Sequence, residues 1–110
     1  QPQLILVSAG YDAHWDDPLA YMQLSIGGYA AIGQALKDLA EELCGGRVVF
    51  TLEGGYHLEA LAYSVLNTFG VLLGDETWQL VDPLGPSPSR ERPVNDVIER
   101  VRQTHGLTRG

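Results

Sequence analysis

The sequence contains one cysteine, Cys44, few basic residues and no long apolar run. A single cysteine cannot form an intramolecular disulfide, and this predicts a reducing, cytoplasmic setting. No stretch approaches the ~18 consecutive apolar residues that a membrane-spanning helix needs. The start of the chain lacks the charged and apolar regions of a signal peptide. No Cys/His spacing typical of structural zinc occurs either.

Negative charge dominates the ionisable residues. The sequence has seven Lys and Arg residues and 14 Asp and Glu residues, which gives a net charge of -7. This balance argues against direct nucleic-acid binding, which needs clustered basic residues to neutralise phosphates. An acidic surface instead attracts a cationic substrate or partner.

Length and composition indicate one small soluble domain, because the chain has 110 residues of which 45% are hydrophobic. The chain begins Gln1-Pro2-Gln3 directly before a strand pattern, with no initiator Met. We therefore expect it to be a piece of a longer protein.

The hydrophobic pattern predicts an α/β fold. Two apolar runs, at 4–7 and 47–52, are predicted to be buried strands, and each is followed by a predicted helix, at 26–43 and 58–73. Ser25 is the predicted N-cap of the first helix, which Gly45-Gly46 ends. The order βαβα indicates a parallel sheet with right-handed crossovers. Two strands are too few for a stable open sheet, so we expect further strands or a second copy of the chain.

The C-terminal part changes in composition. Four prolines between Pro83 and Pro93 predict an extended linker. Beyond it, residues 94–105 fit a short amphipathic helix. The chain is therefore divided into an α/β portion at 1–82, a Pro-rich linker at 83–93, and a C-terminal helix and tail at 94–110.

Two polar residues follow the predicted strands. Asp12 suits metal ligation or general-base chemistry, and the alternative is a carboxylate that caps a turn. The Tyr56 hydroxyl suits hydrogen bonding to an oxyanion, and the alternative is an aromatic ring packed over the sheet edge. In open α/β sheets, ligand sites collect beyond the carboxyl ends of the strands. These two residues are the first candidates for chemistry.

Other polar residues are weaker candidates for a functional site. His14 and His57 flank the two candidates, but a lone loop histidine is more often at the surface. Asp16-Asp17-Pro18 is typical of a turn rather than a metal pair. Cys44 lies at a helix C-terminus, where the helix dipole disfavours the thiolate.

Three motifs carry a family resemblance. The segments Ser8-Ala9-Gly10-Tyr11-Asp12-Ala13-His14, Asp17-Pro18-Leu19 and Leu52-Glu53-Gly54-Gly55-Tyr56 resemble the zinc-dependent histone deacetylase family. The likeness covers roughly residues 4–75. It is closest to bacterial and class II-like members, including acetylpolyamine amidohydrolases. It implies an arginase/deacetylase-like parallel sheet flanked by helices, with the metal beyond the strand ends.

The resemblance also implies roles for four residues. Asp12 would be one of three protein ligands to a catalytic Zn²⁺, and Tyr56 would donate a hydrogen bond to the substrate carbonyl and the oxyanion. Gly54 would line the acyl-lysine tunnel and Leu19 would form its wall. The implied substrates are acetylated lysine or an acetylated polyamine.

The chain departs from the family pattern in one respect. Apart from Asp12-Ala13-His14 of the first motif, the sequence has no Asp-x-His pair that could supply the other two zinc ligands, and it lacks the tandem histidines that act as general base. Because one carboxylate cannot hold a catalytic zinc, we expect these 110 residues alone to be inactive.

Two alternatives remain open from the residues. The chain is a structural module that pairs with another copy through exposed sheet edges, or it is a small-molecule-binding α/β domain unrelated to deacetylases.

Overall fold

The structure, a computed structural model, describes residues 1–107. The elements, in chain order, are β1 (Ile5–Gly10), α1 (Ile26–Cys44), β2 (Val48–Gly54), α2 (Leu58–Leu73) and α3 (Asn95–His105). This order confirms the predicted βαβα arrangement with a further C-terminal helix. No helix within residues 1–107 has the length and apolar character needed to cross a membrane.

The two strands pair in parallel and run further than the apolar pattern predicts. The pairing proceeds in register from Ile5 with Val48 to Ala9 with Leu52. It then shifts, so that Gly10 pairs with Gly54 and Glu53 is an extra residue in β2. Such a β-bulge bends the strand and re-aims the side chains beside it. The strand ends therefore include both glycines of the candidate site.

Within the described residues, only one face of the sheet is covered. Ile5, Val7 and Ala9 are partly or fully buried, whereas Leu6 on the opposite face is 71% exposed. On the same open face of β2, Val49, which pairs with Leu6, is 46% exposed. The prediction of strands buried on both faces is therefore wrong for residues 1–107, because α1 and α2 pack together on one side of the sheet.

The helix ends follow the predicted capping chemistry. The Ser25 hydroxyl accepts a hydrogen bond from the Gly28 N–H at 3.0 Å, as an N-cap does. The first helix ends at Gly45, whose φ of 63° lies in the left-handed region that glycine adopts at low cost. Gly74 ends α2 in the same way, with a φ of 67°.

Residues 75–94 form no helix or strand. Their first part, residues 75–87, packs against α2, the start of α1 and the loop after β1, and we call this segment the strap. It includes the beginning of the predicted linker. The division of the chain at 83 and 93 stays a prediction.

We predict opposite effects of the same substitution at Gly33 within α1 and at Gly45, which caps the end of this helix. Gly45→Ala should destabilise the protein by about 1 kcal/mol, because alanine is disfavoured at positive φ. Gly33→Ala should stabilise it by about 0.5–1 kcal/mol, because no neighbouring atom lies within 4 Å of a Cβ built there and alanine favours the helix. Urea unfolding of the intact protein measures both effects. A loss of stability in Gly33→Ala would contradict the described packing.

Candidate functional site at the strand ends

The two paired glycines leave room for the Asp12 carboxylate. A Cβ built on Gly54 would lie 3.2 Å from the carboxylate carbon and from both oxygens of Asp12. A Cβ built on Gly10 would lie 2.9 Å from Asp12 Oδ1. The carboxylate therefore lies directly over the ends of β1 and β2. It makes no hydrogen bond within residues 1–107, so the expected turn-capping role is not observed there.

The backbone beyond the strands is packed so closely that it needs glycine. Gly55 has a φ of 133°, which L side chains rarely adopt, and a Cβ there would lie 3.2 Å from Tyr11 Cβ. The Tyr11 N–H donates to the Gly54 carbonyl at 2.8 Å. The buried Tyr11 hydroxyl is 2.8 Å from Thr68 Oγ1 on α2. Because Tyr11 directly precedes Asp12, these contacts also restrict the position of Asp12.

The Asp17 side chain joins the loop after β1 to the short segment between β2 and α2. Its Oδ1 accepts the Leu19 N–H at 2.9 Å, which is the predicted turn. Its Oδ2 accepts the Tyr56 N–H at 2.8 Å and the His57 N–H at 3.3 Å, across nearly 40 residues of sequence. The Asp17 side chain is only 6% exposed. One buried carboxylate therefore positions the backbone of two predicted site residues, Leu19 and Tyr56.

The hydrogen bonds also determine the charge state of Asp17. Burial by itself raises the pKa of this carboxyl, but the backbone N–H groups of Leu19, Tyr56, His57 and Ala20 outweigh it. The net result is a pKa below the ordinary value for aspartate. Asp17 is therefore an anion at neutral pH.

Two histidines flank the carboxylates. His57 caps α2, since its Nδ1 accepts the Ala60 N–H at 3.1 Å, and its Nε2 lies 3.0 Å from Asp16 Oδ2. His14 is fully buried, which corrects the expectation of a surface histidine, and its Nδ1 accepts the Asp16 N–H at 3.1 Å. Burial, together with the nearby His57, lowers the pKa of His14. A neutral His14 with an accepting Nδ1 carries its proton on Nε2, which has no partner within the described residues.

Tyr29 of α1 supports the loop from the other side. Its hydroxyl accepts the Ala13 N–H at 2.8 Å, and its ring stacks edge-to-face with that of Tyr11 at 5.0 Å between centroids. Burial raises the pKa of Tyr29, and the negative charges of Asp12 and Asp17 add to this effect. Tyr29 therefore stays neutral and acts as a fixed support.

The structure brings the predicted site residues together in two pairs. Asp12 lies against Gly54, and Asp17 links the backbone of Leu19 to that of Tyr56. The Tyr56 side chain is 53% exposed, and its hydroxyl makes no hydrogen bond within residues 1–107. Leu19 is also exposed. The phenol and the Asp12 carboxylate are thus both available to a ligand.

One carboxylate among the described residues has the chemistry of a metal ligand. The Asp12 carboxylate, free of hydrogen bonds and packed against two glycines, has the oxygen chemistry that zinc accepts. However, no group of three His, Cys, Asp or Glu within residues 1–107 is placed to hold a metal. A catalytic zinc needs about three protein ligands and a water. These residues therefore do not form a zinc site by themselves.

Asp17 is the residue whose importance sequence reasoning missed. The Asp-Pro pair indicated a turn, and the turn exists, but the bonds to Tyr56 and His57 leave no trace in local sequence. The role of Asp17 could have been inferred from its place in Asp17-Pro18-Leu19, one of the three segments that carry the family resemblance.

Comparisons with known proteins agree with the three motifs. A sequence model described as "Histone deacetylase domain" matches residues 1–72. Histone deacetylase 14, chloroplastic, of Arabidopsis thaliana is 45% identical over 109 residues, which are 97% of this chain and 26% of that protein. Polyamine deacetylase HDAC10 of Homo sapiens is 48% identical over 88 residues, which are 80% of this chain and 13% of that protein.

A solved structure is similar as well. The HD domain of HDA15 superposes with a TM-score of 0.57 at 34% sequence identity, over 77% of this chain and 21% of that one. The chain thus spans about a quarter or less of the length of these proteins.

We predict that Asp17→Asn destabilises the intact protein by about 2–3 kcal/mol at neutral pH, because an amide NH₂ group cannot accept the N–H groups now bonded to Oδ2. The difference from wild type should vanish in acid. The pKa of Asp17 is lower in the folded protein than in the unfolded chain. The ionised carboxylate therefore stabilises the fold fully above the ordinary aspartate pKa, and this stabilisation is lost as the pH falls through the pKa of the folded state. Urea unfolding at several pH values measures this.

Asp38→Asn is the matched control, because Asp38 is exposed and accepts only from Gln34 of the same helix. Its stability should stay within about 0.5 kcal/mol of wild type. Equal losses in the two variants would show that Asp17 has no special role.

Proposed function

The chain belongs to the histone deacetylase domain family, and from this membership we propose that it supplies part of the active site of a zinc-dependent deacetylase. The observation that carries the proposal is the Asp12 carboxylate, which lies over the paired glycines at the ends of two parallel strands and makes no hydrogen bond within residues 1–107. Membership in the family excludes the alternative of an unrelated small-molecule-binding domain.

Each proposed site residue has a distinct role. Asp12 is one ligand of the zinc ion, and further ligands come from outside the described residues. Bound zinc would polarise an amide carbonyl and lower the pKa of a bound water. The free hydroxyl of Tyr56 donates a hydrogen bond to the substrate carbonyl oxygen, and more strongly to the oxyanion that replaces it.

Two residues shape the proposed path of the substrate. Gly54 packs directly against the Asp12 carboxylate and would line the path of the acyl-amine chain beside this proposed metal ligand. The exposed Leu19 side chain, anchored by its N–H on Asp17, presents apolar surface to the methylenes of the substrate. An acetylated lysine and an acetylated polyamine both have this combination of methylene chain and amide.

The charge of the chain supports a cationic substrate. With a net charge of -7, these 110 residues favour the approach of an amine-bearing molecule. One relative, from Homo sapiens, is named a polyamine deacetylase, which adds support for the acetylpolyamine class. Because the described residues offer one proposed metal ligand, residues 1–110 alone are proposed to be inactive.

In the intact protein, Asp12→Ala should abolish zinc binding and activity, because the substitution removes a ligand. Metal analysis after dialysis measures the zinc content. Asp38→Ala, which removes an exposed carboxylate from α1, should leave the zinc content unchanged. Retention of stoichiometric zinc by Asp12→Ala would refute the proposed ligand.

Tyr56→Phe should retain zinc and lower kcat by about 100-fold or more, as expected for the loss of one oxyanion donor. Steady-state kinetics with an acetyl-lysine reporter and with an acetylated polyamine measure the effect. Tyr63→Phe on α2 is the matched control and should leave kcat unchanged, since its hydroxyl makes no hydrogen bond within the described residues. A full kcat in Tyr56→Phe would eliminate the proposed donor.

A further inference from the structure

The first part of the strap (residues 75–87) is attached to α2 through Trp78 and Val81. The Trp78 ring covers Gly70 so closely that a Cβ on this glycine would lie 2.2 Å from Trp78 Cε2. Farther along, Asn67 Nδ2 donates to the Val81 carbonyl at 2.7 Å, and the Val81 N–H donates to Asn67 Oδ1 at 3.0 Å. Asn67 is buried, so this pair is held away from water. The strap is therefore docked on the fold.

The far end of the strap holds the loop after β1. Trp15 Nε1 donates to the Gly85 carbonyl at 2.9 Å, between residues that are 70 positions apart. Asp82 Oδ1 accepts the Gly85 N–H at 2.8 Å and so fixes the turn that presents this carbonyl. Asp82 Oδ2 also accepts the Gly27 N–H at the start of α1, at 3.4 Å. A hydrogen bond from Ser87 to Gln23 completes the contact.

The loop after β1 connects Trp15, which is bonded to the strap, with Asp17 over a short distance. The Trp15 N–H donates to the Leu24 carbonyl at 2.9 Å, and the Leu24 N–H donates to the Ala13 carbonyl at 3.0 Å, which closes the loop on itself. The Asp17 N–H donates to the His14 carbonyl at 3.1 Å. Only one residue, Asp16, separates Trp15 from Asp17, whose carboxylate accepts the Tyr56 N–H. A displacement of Trp15 would therefore move Asp17 as well.

The strap lies beyond the residues that match the sequence model of the histone deacetylase domain. The histone deacetylase match ends at residue 72, whereas the similarity to the Arabidopsis thaliana relative extends over 109 residues. We propose that the strap is a positioning element of the active site, and that Trp15, through Gly85, holds the loop whose Asp17 sets the backbone of Tyr56. The catalytic consequence rests on the proposed function, while the positioning itself does not.

Two buried helical glycines provide a matched pair of variants. Gly70→Ala forces Trp78 away and loosens the strap from a point remote from the strand ends. Gly33→Ala makes the same chemical change in α1 and meets no atom within 4 Å. Trp15→Phe removes the hydrogen bond to Gly85 and makes the side chain smaller, but retains an aromatic ring. All three variants are made in the intact protein.

Two measurements are made well below the melting temperature of each variant. In Gly70→Ala and Trp15→Phe, kcat should fall about tenfold to 100-fold with little change in KM, as expected for a misplaced catalytic group. Hydrogen exchange at the Tyr56 and His57 N–H groups should be faster in both variants. Gly33→Ala should match wild type in kcat and in exchange. A merely structural strap would lower the melting temperature and leave these quantities unchanged.

The proposal is overturned if exchange within residues 75–87 rises in Gly70→Ala while Tyr56 exchange and kcat match those of Gly33→Ala. If Gly70→Ala does not fold, the same comparison is made with Trp15→Phe. If the wild-type protein hydrolyses no acetylated amine, the proposed function fails. The exchange of the Tyr56 and His57 N–H groups then decides the positioning role of the strap on its own.

Discussion

The buried carboxylate of Asp17 is the contact through which the two loops of the site are held in one arrangement. A carboxylate in such a place is costly unless each oxygen is well bonded, and here the N–H groups of Leu19, Tyr56 and His57 provide the bonds. The same bonds keep Asp17 ionised, since they lower its pKa against the effect of burial. The geometry of the site and the charge of Asp17 are therefore two consequences of one interaction.

The parallel sheet provides the other half of the arrangement. Parallel pairing brings both strand ends to the same edge, and the bulge at Glu53 aligns Gly10 with Gly54 there. Two adjacent residues without side chains leave space that the Asp12 carboxylate fills. Asp12 is thus located by the sheet, while Tyr56 is located by Asp17. Two independent supports place the proposed zinc ligand and the proposed oxyanion donor.

Local patterns in the sequence predict much of the fold and little of the contacts between loops. Helix α2 was predicted at 58–73 and occurs as Leu58–Leu73, because its apolar spacing and Gly74 are local signals. The strand ends were missed, since pairing of Gly10 with Gly54 depends on the partner strand. The burial of His14 and the long-range bonds of Asp17 were missed because side-chain to backbone bonds between distant loops have no periodicity. The roles of Asp12, Tyr56, Gly54 and Leu19, and the cytoplasmic setting, stay predictions.

The most direct measurement is a zinc-edge anomalous diffraction structure of the intact protein with a bound acetyl-lysine or acetylpolyamine analogue. We expect a zinc ion with an Asp12 oxygen at about 2.0–2.2 Å and the Tyr56 hydroxyl in hydrogen-bonding distance of the amide carbonyl of the analogue. The Asp17 carboxylate should still accept the Tyr56 N–H. A zinc ion that is bound without Asp12 would contradict the proposed ligand, and an analogue whose carbonyl lies beyond the reach of Tyr56 would contradict the proposed oxyanion donor.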